Sequence, residues 1–168
     1  ESTRANIISY TEVYTDSLGQ KVTPVAAGTY NYSVTFNHPL IKDLSGVFTI
    51  QQNTLTVSIN SKSRQYGLSN PTLDYQISGF QGSDSSCVIS GSPVVTTTAT
   101  PGSDVGSYGI SVDVSGMSSP NYAFAGSDNF LYVTQAPLAI QANSHSRSHG
   151  EANPSFTFSA SGFRNGET

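Results

Sequence analysis

The chain has 168 residues and a formal net charge of −4, with charged residues at only 11% against about 25% in typical globular proteins, so Ser, Thr, Gly and Asn carry its polar surface. Its three lysines and four arginines stand singly, leaving no basic stripe to track a phosphate backbone and making nucleic acid an unexpected partner. The single cysteine, Cys87, excludes an internal disulfide and a thiolate metal cluster and reads as a half-buried small residue; no apolar run approaches the roughly 18 residues of a membrane span, and no signal-like segment opens the sequence.

Taken in chain order, the pattern is of short strands. Tyr30, Tyr32, Val34 and Phe36 alternate with polar residues, which places one face of an extended segment in a core. Phe48-Thr49-Ile50 precedes a polar link, Gln51-Gln52-Asn53. Leu55, Val57 and Ile59 then share a face against Thr56, Ser58 and Asn60. A turn follows at Tyr66-Gly67, where Tyr66 is expected to lay its ring over a sheet edge and give its hydroxyl to a backbone carbonyl, with Gly67 supplying a positive φ. Asn70-Pro71 marks a second turn, before Leu73, Tyr75 and Ile77.

Gln81–Ile89 is the one stretch suited to a short helical turn, with Ser83 or Asp84 as its cap. Tyr108, Ile110, Val112 and Val114 form another alternating run, and Leu131-Tyr132-Val133 leads into a second polar link, Gln135-Ala136-Pro137. Beyond it Leu138 opens a further strand, Gly150 and Asn153-Pro154 repeat the turns, and Phe156 and Phe158 fall on an inward phase. Phe80 and Phe163 each follow Ser-Gly and precede polar residues, which makes them candidate exposed rings for ligand or interface contact.

These elements recur. Leu55–Ser85 aligns without a gap on Leu138–Thr168, 83 residues on, and eleven of the 31 positions are identical. Gly28–Val34 matches Gly106–Val112 at an offset of 78, and Phe48–Ile50 matches Leu131–Val133 at 83, so a five-residue length difference lies between. Residues 1–53 therefore read as the C-terminal half of a module, 54–136 as one complete module, and 137–168 as the N-terminal half of a following one. A fixed period of this kind belongs to arrays of stacked units. Links of a few residues hold neighbours in nearly fixed relation, so a semi-rigid rod of modules each about 30 Å across is expected.

The expected fold is mainly β: tandem small antiparallel modules, β-grasp-like with one short helical turn, or alternatively an immunoglobulin-like sandwich of two small sheets. The order Tyr66-Gly67, Asn70-Pro71, Ser78-Gly79-Phe80, Gly91-Ser92-Pro93, Val105-Gly106-Ser107-Tyr108 and Asn121-Tyr122 resembles the MBG domain of the YGX type, found in tandem in large secreted and surface-attached bacterial proteins. The third unit departs from the pattern with His149-Gly150 in place of Tyr-Gly, so different packing of that turn is expected. The resemblance implies a stalk or adhesin context, extracellular or on the bacterial cell surface, and offers no catalytic residues to carry over.

The residues themselves point the same way. His145 and His149 have the four-residue spacing of a helical zinc pair, but they fall on a strand end and a turn with no acid or cysteine placed to finish the shell. No Gly-x-Ser-x-Gly elbow with a base accompanies the serines, and Asp84, Asp104, Asp113 and Asp128 are spread one per loop or strand. No enzyme activity, metal or cofactor is therefore expected. Three roles remain: a structural stalk or spacer, a filament protomer whose half-modules complement between chains along unpaired strand edges, and a carbohydrate- or protein-binding adhesin module. The expected partners are neighbouring modules of the array and, through the incomplete end modules, another copy of the chain.

Overall fold

The computed structural model describes residues 9–168; the first eight residues of the leading half-module lie outside the described residues. The chain is almost wholly β, in thirteen strands among the described residues. They are β1 (Tyr10–Thr15), β2 (Lys21–Val22), β3 (Gly28–Phe36), β4 (Leu44–Ile50), β5 (Asn53–Ile59), β6 (Lys62–Gln65), β7 (Tyr75–Ser78), β8 (Val94–Thr97), β9 (Gly106–Asp113), β10 (Tyr122–Ser127), β11 (Asn129–Thr134), β12 (Ala139–Ala142) and β13 (Phe158–Ser161). A single 3-10 turn, Ser86–Val88, interrupts them.

Two compact units divide the chain. One runs through Thr56 and adds Gly79–Ser92 and Met117–Ala125; the other comprises Val57–Ser78, Pro93–Gly116 and Gly126–Thr168. The first holds a four-stranded antiparallel sheet in the order β2-β1-β3-β4. The second holds the sheet β6-β11-β9-β8 and the hairpin pair β12-β13. A three-stranded sheet has the order β10-β5-β7.

The repeat is visible in strand register. In the first sheet Tyr14 pairs with Tyr32, Tyr32 with Gly46, and Tyr30 with Phe48. In the second, Thr97 pairs with Ile110, Ile110 with Asn129, and Tyr108 with Leu131. Thus β1, β3 and β4 correspond residue for residue to β8, β9 and β11. The second sheet has one strand more at this end: β6 runs parallel to β11, with Leu131 opposite Lys62 and Val133 opposite Arg64. That pair makes the sheet mixed, where antiparallel pairing was expected throughout.

The core forms where two sheets meet. Ile59 of β5 packs with Ile110 of β9, Leu131 of β11 and Ala99, flanked by Leu73, Val95, Tyr108 and Val112. Leu55, Val57, Ile110 and Leu131 are fully buried, as the alternating phase of β5, β9 and β11 requires. Packing is sheet against sheet, since the 3-10 turn buries none of its residues. Its expected cap is also different: Ser85 stands at the N-cap without a side-chain bond, and Asp84 is engaged elsewhere. Cys87, on this uncovered turn, is exposed rather than half-buried.

Three rings expected inside are outside. Tyr75 lies on the edge strand β7 and is 40% exposed, while Phe156 and Phe158 are 77% and 68% exposed. The apolar side of β12-β13, with Ile140 and Phe158, stays exposed because the core of its unit forms between β5 and the β6-β11-β9-β8 sheet.

Candidate functional site: the recurrent module junction

A cluster of side-chain hydrogen bonds lies where the first repeat hands over to the second. In the first unit a concavity of about 230 Å³ is lined by Ala27, Asn53, Gln81, Asp84, Asn121 and Tyr122, among others. In the second, one of about 320 Å³ is lined by Tyr66, Val105, Ala136, Phe163, Arg164 and Glu167, among others. The positions are equivalent: Ala27 with Val105, Asn53 with Ala136, Gln81 with Arg164, and Asp84 with Glu167. Four wall positions thus recur, although the bonds made across them differ.

At the first junction the amide of Ala27 donates to Asn121 Oδ1 at 2.9 Å, and the amide of Asn53 to the Asn121 carbonyl at 3.0 Å. Gln52 Nε2 reaches the carbonyls of Ser119 and Pro120. Tyr122, buried beneath Phe80 in an edge-on contact at 6.0 Å, donates its hydroxyl to Asp84 Oδ2 at 2.7 Å and accepts from the Gln81 amide at 3.0 Å. Donation to the Asp84 carboxylate raises the Tyr122 phenol above its ordinary range, so the proton stays on the ring. Asp84 therefore serves this bond rather than capping the helical turn.

At the second junction Tyr66 donates to Glu167 Oε1 at 2.9 Å, a carboxylate of the following repeat rather than the backbone carbonyl expected of it. Gly67 beside it has φ +77°, and a Cβ there would sit 2.5 Å from that of Arg164. Only glycine permits both the backbone conformation and the close approach.

The predicted turn residues have definite work. Arg64 is buried on β6, and its Nε donates to Asn70 Oδ1 at 2.8 Å, while its other nitrogens reach the carbonyls of Gln65 and Thr100. Asn70 Nδ2 passes the chain on to the Ala99 carbonyl at 2.6 Å. A buried guanidinium is thus satisfied without a carboxylate. In the third repeat Arg147 Nε donates to Asn153 Oδ1 at 2.7 Å in the same arrangement, and Arg147 is exposed. Pro71 and Pro154 are half-buried after these asparagines, and Gly150 has φ +88° like Gly67. Sequence reasoning overlooked the arginines; their identity across the repeat, in a chain so poor in charge, was the available signal.

Tyr108 and Tyr30, read as core rings, also turn out to brace a corner. Their hydroxyls donate to the carbonyls of Asp104 and Ala26, each four residues upstream, at 2.9 and 2.8 Å. The two candidate contact rings differ: Phe80 is half-buried against Tyr122, and Phe163 is 40% exposed on the second concavity. His145 lies edge-on to Phe156 and meets Thr157 Oγ1 at 3.1 Å. Among the described residues no three His, Cys, Asp or Glu side chains gather as a metal site would require, and no helix is long and apolar enough to cross a membrane.

Small β units whose strand register recurs from one repeat to the next define a β-rich repeat module. The family model of the MBG domain, YGX type, matches residues 55–132 of this chain. No curated protein and no solved structure matches the chain.

Proposed function

We propose that the chain is part of a non-catalytic stalk or spacer array of a secreted bacterial cell-surface protein or adhesin, with one complete module at 54–136 between the halves of two others. The observation that carries this reading is the recurrence of the β1-β3-β4 register in β8-β9-β11, with equivalent residues lining a concavity at each module junction. Binding and catalytic sites are single constellations, whereas here four wall positions of the junction recur at the period of the chain, and Tyr66 bonds to Glu167 of the next repeat. A link of two or three residues then holds neighbours in nearly fixed relation. Each added interface contributes stability by the nearest-neighbour rule of repeat proteins.

Ligand binding by the aromatic pair is the weaker reading. Phe80 is spent on packing against Tyr122, and Phe163 is the equivalent position of the next repeat. The spacer reading is tested by small-angle scattering on tandem arrays of increasing module number. The maximum dimension is expected to rise by a constant increment of about 30 Å per module; arrays that stay compact as modules are added would refute it.

A further inference from the structure

One exposed face of the middle module departs from the repeat in a coordinated way. Phe130 and Tyr132 are alternate residues of β11, 49% and 44% exposed on the side of the sheet away from the buried Leu131 and Val133, with ring centroids 6.3 Å apart. Tyr132 stands between Ser63 of β6 and Ser107 of β9, both exposed, and Phe130 stands opposite Gly109. In the preceding repeat, Val47 pairs with Asn31 and Thr49 with Thr29 at the equivalent positions. Aromatic rings are therefore not what this strand needs in order to fold. In both rows β11 has gained a ring and β9 has lost side-chain bulk.

Glycine inside a strand weakens it and often marks the close approach of a ligand. The purely structural use of such a pair would be for the ring to cover the glycine opposite, but no atom of Phe130 lies within 4 Å of where a Cβ of Gly109 would stand. An open shelf is left beside the ring. Val47 is 64% exposed although a complete module follows it in the chain, so the succession of repeats does not cover this side of the strand.

The chemistry of the face narrows its occupant. The exposed positions of β6, β8, β9 and β11 include no lysine or arginine, and the two carboxylates that border the face, Asp113 and Asp128, are held by the amides of Ser115 and Val112. An acidic polymer finds no cation there. Two rings set among serines are also narrow for a stable protein interface, which buries about 800 Å² per partner. They suit a chain of sugars, whose C–H faces stack on aromatic rings while the hydroxyls at their edges meet the serine hydroxyls alongside.

We infer that the Phe130–Tyr132 face binds a neutral hexose polysaccharide lying along β11, with successive sugars over the two rings and the edge of the chain over Gly109. The site is distinct from Phe80 and Phe163, and it goes beyond the spacer reading without resting on it.

The isotope-labelled 168-residue chain is titrated by NMR with cellohexaose, mannohexaose and laminarihexaose in turn, and with alginate oligomers as the acidic comparison. At least one neutral sugar is expected to shift resonances of β6, β9 and β11 with a dissociation constant of about 1 mM, and alginate is expected not to. Phe130→Val combined with Tyr132→Thr, which restores the residues of the preceding repeat, is expected to keep the fold and weaken binding by about tenfold or more. Gly109→Asn, which also restores the preceding repeat and leaves both rings in place, is expected to weaken binding by filling the shelf, and it reports on the site even where the double variant is unstable. The inference is overturned if none of the three neutral sugars shifts these strands, if alginate binds as well as they do, or if binding survives the substitutions undiminished. Each of those results leaves the spacer reading standing, since that depends on how tandem arrays lengthen and not on sugar binding.

Discussion

A buried arginine with no acid beside it is the clearest local device in this protein. Arg64 exchanges water for Asn70 Oδ1 and two carbonyls, and thereby ties β6, the Asn-Pro turn and the loop at Thr100 together. Arg64→Met would leave those acceptors without a donor inside the protein, and the cost is expected to be about 1–3 kcal/mol. The equivalent Arg147→Met, at an exposed site in the isolated chain, is expected to cost within about 0.5 kcal/mol. Denaturant melts of the two variants measure the contrast directly.

Two titrating contacts give opposite pH signatures. Asp74 lies 2.7 Å from Lys62 Nζ, and the hydrogen bond from that ammonium holds its carboxyl below the ordinary carboxylate value. A depressed folded value stabilises above the unfolded carboxylate range and is lost as pH falls through the folded one. Asp74→Asn is therefore expected to flatten the acid limb of stability against pH while leaving its alkaline limb alone. Tyr122 is the reverse case, because donation to Asp84 raises it. Its contribution is complete below the unfolded phenol value near 10 and disappears as pH rises through the higher folded one. In a tyrosinate absorbance titration Tyr122→Phe is expected to remove a phenol that titrates above the ordinary range, and Asp84→Asn to bring that phenol back toward it.

At the scale of strands and sheets, identical register and unequal burial make a matched pair of substitutions informative. Leu131→Ala in the closed core of the middle module is expected to cost about 2–5 kcal/mol, as truncation of a fully buried leucine does. Phe48→Ala, its partner by register, is expected to cost much less in the monomeric chain. The Ser-Gly-Phe motif is constrained by backbone as well as packing: Gly79 has φ +104°, and a Cβ there would lie 2.8 Å from the Thr54 carbonyl. Gly79→Ala should therefore destabilise by about 1–3 kcal/mol, which thermal unfolding would register.

The same elements show what a single sequence discloses. Period-two alternation made β3, β5, β9 and β11 legible, since each has one face in a core and one in water. It could not find β6, whose Lys-Ser-Arg-Gln carries no apolar phase and which is a strand because it pairs along β11 and lodges Arg64. The parallel pairing was hidden for the same reason, as nothing local in four polar residues states which neighbour they join. Tyr122 was visible only as part of a motif. Its phenol is held by Asp84, 38 positions away, and such a contact exists only once the chain has folded. The turn glycines and asparagines were legible because positive φ and side-chain-to-backbone bonding are local requirements.

For the whole molecule the question is how much of its behaviour belongs to modules and how much to their connections. The Tyr66–Glu167 bond and the contact of Gly67 with Arg164 set the third repeat against the turn of the second within one compact unit. The covalent link across them is Gln135-Ala136-Pro137, too short to act as a tether. If connection geometry is what the array supplies, lengthening the link must matter more than removing a contact. Insertion of four glycines after Gln135 is expected to leave the melting temperature of the middle module nearly unchanged. It is also expected to broaden the distance distribution between spin labels on exposed residues of β9 and β12, measured by electron paramagnetic resonance. Tyr66→Phe should broaden that distribution less, because the link and the Gly67 approach remain. Equal breadth in the parent and the glycine variant would show the junction to be flexible already, and the array would then be a tether and not a spacer of set length.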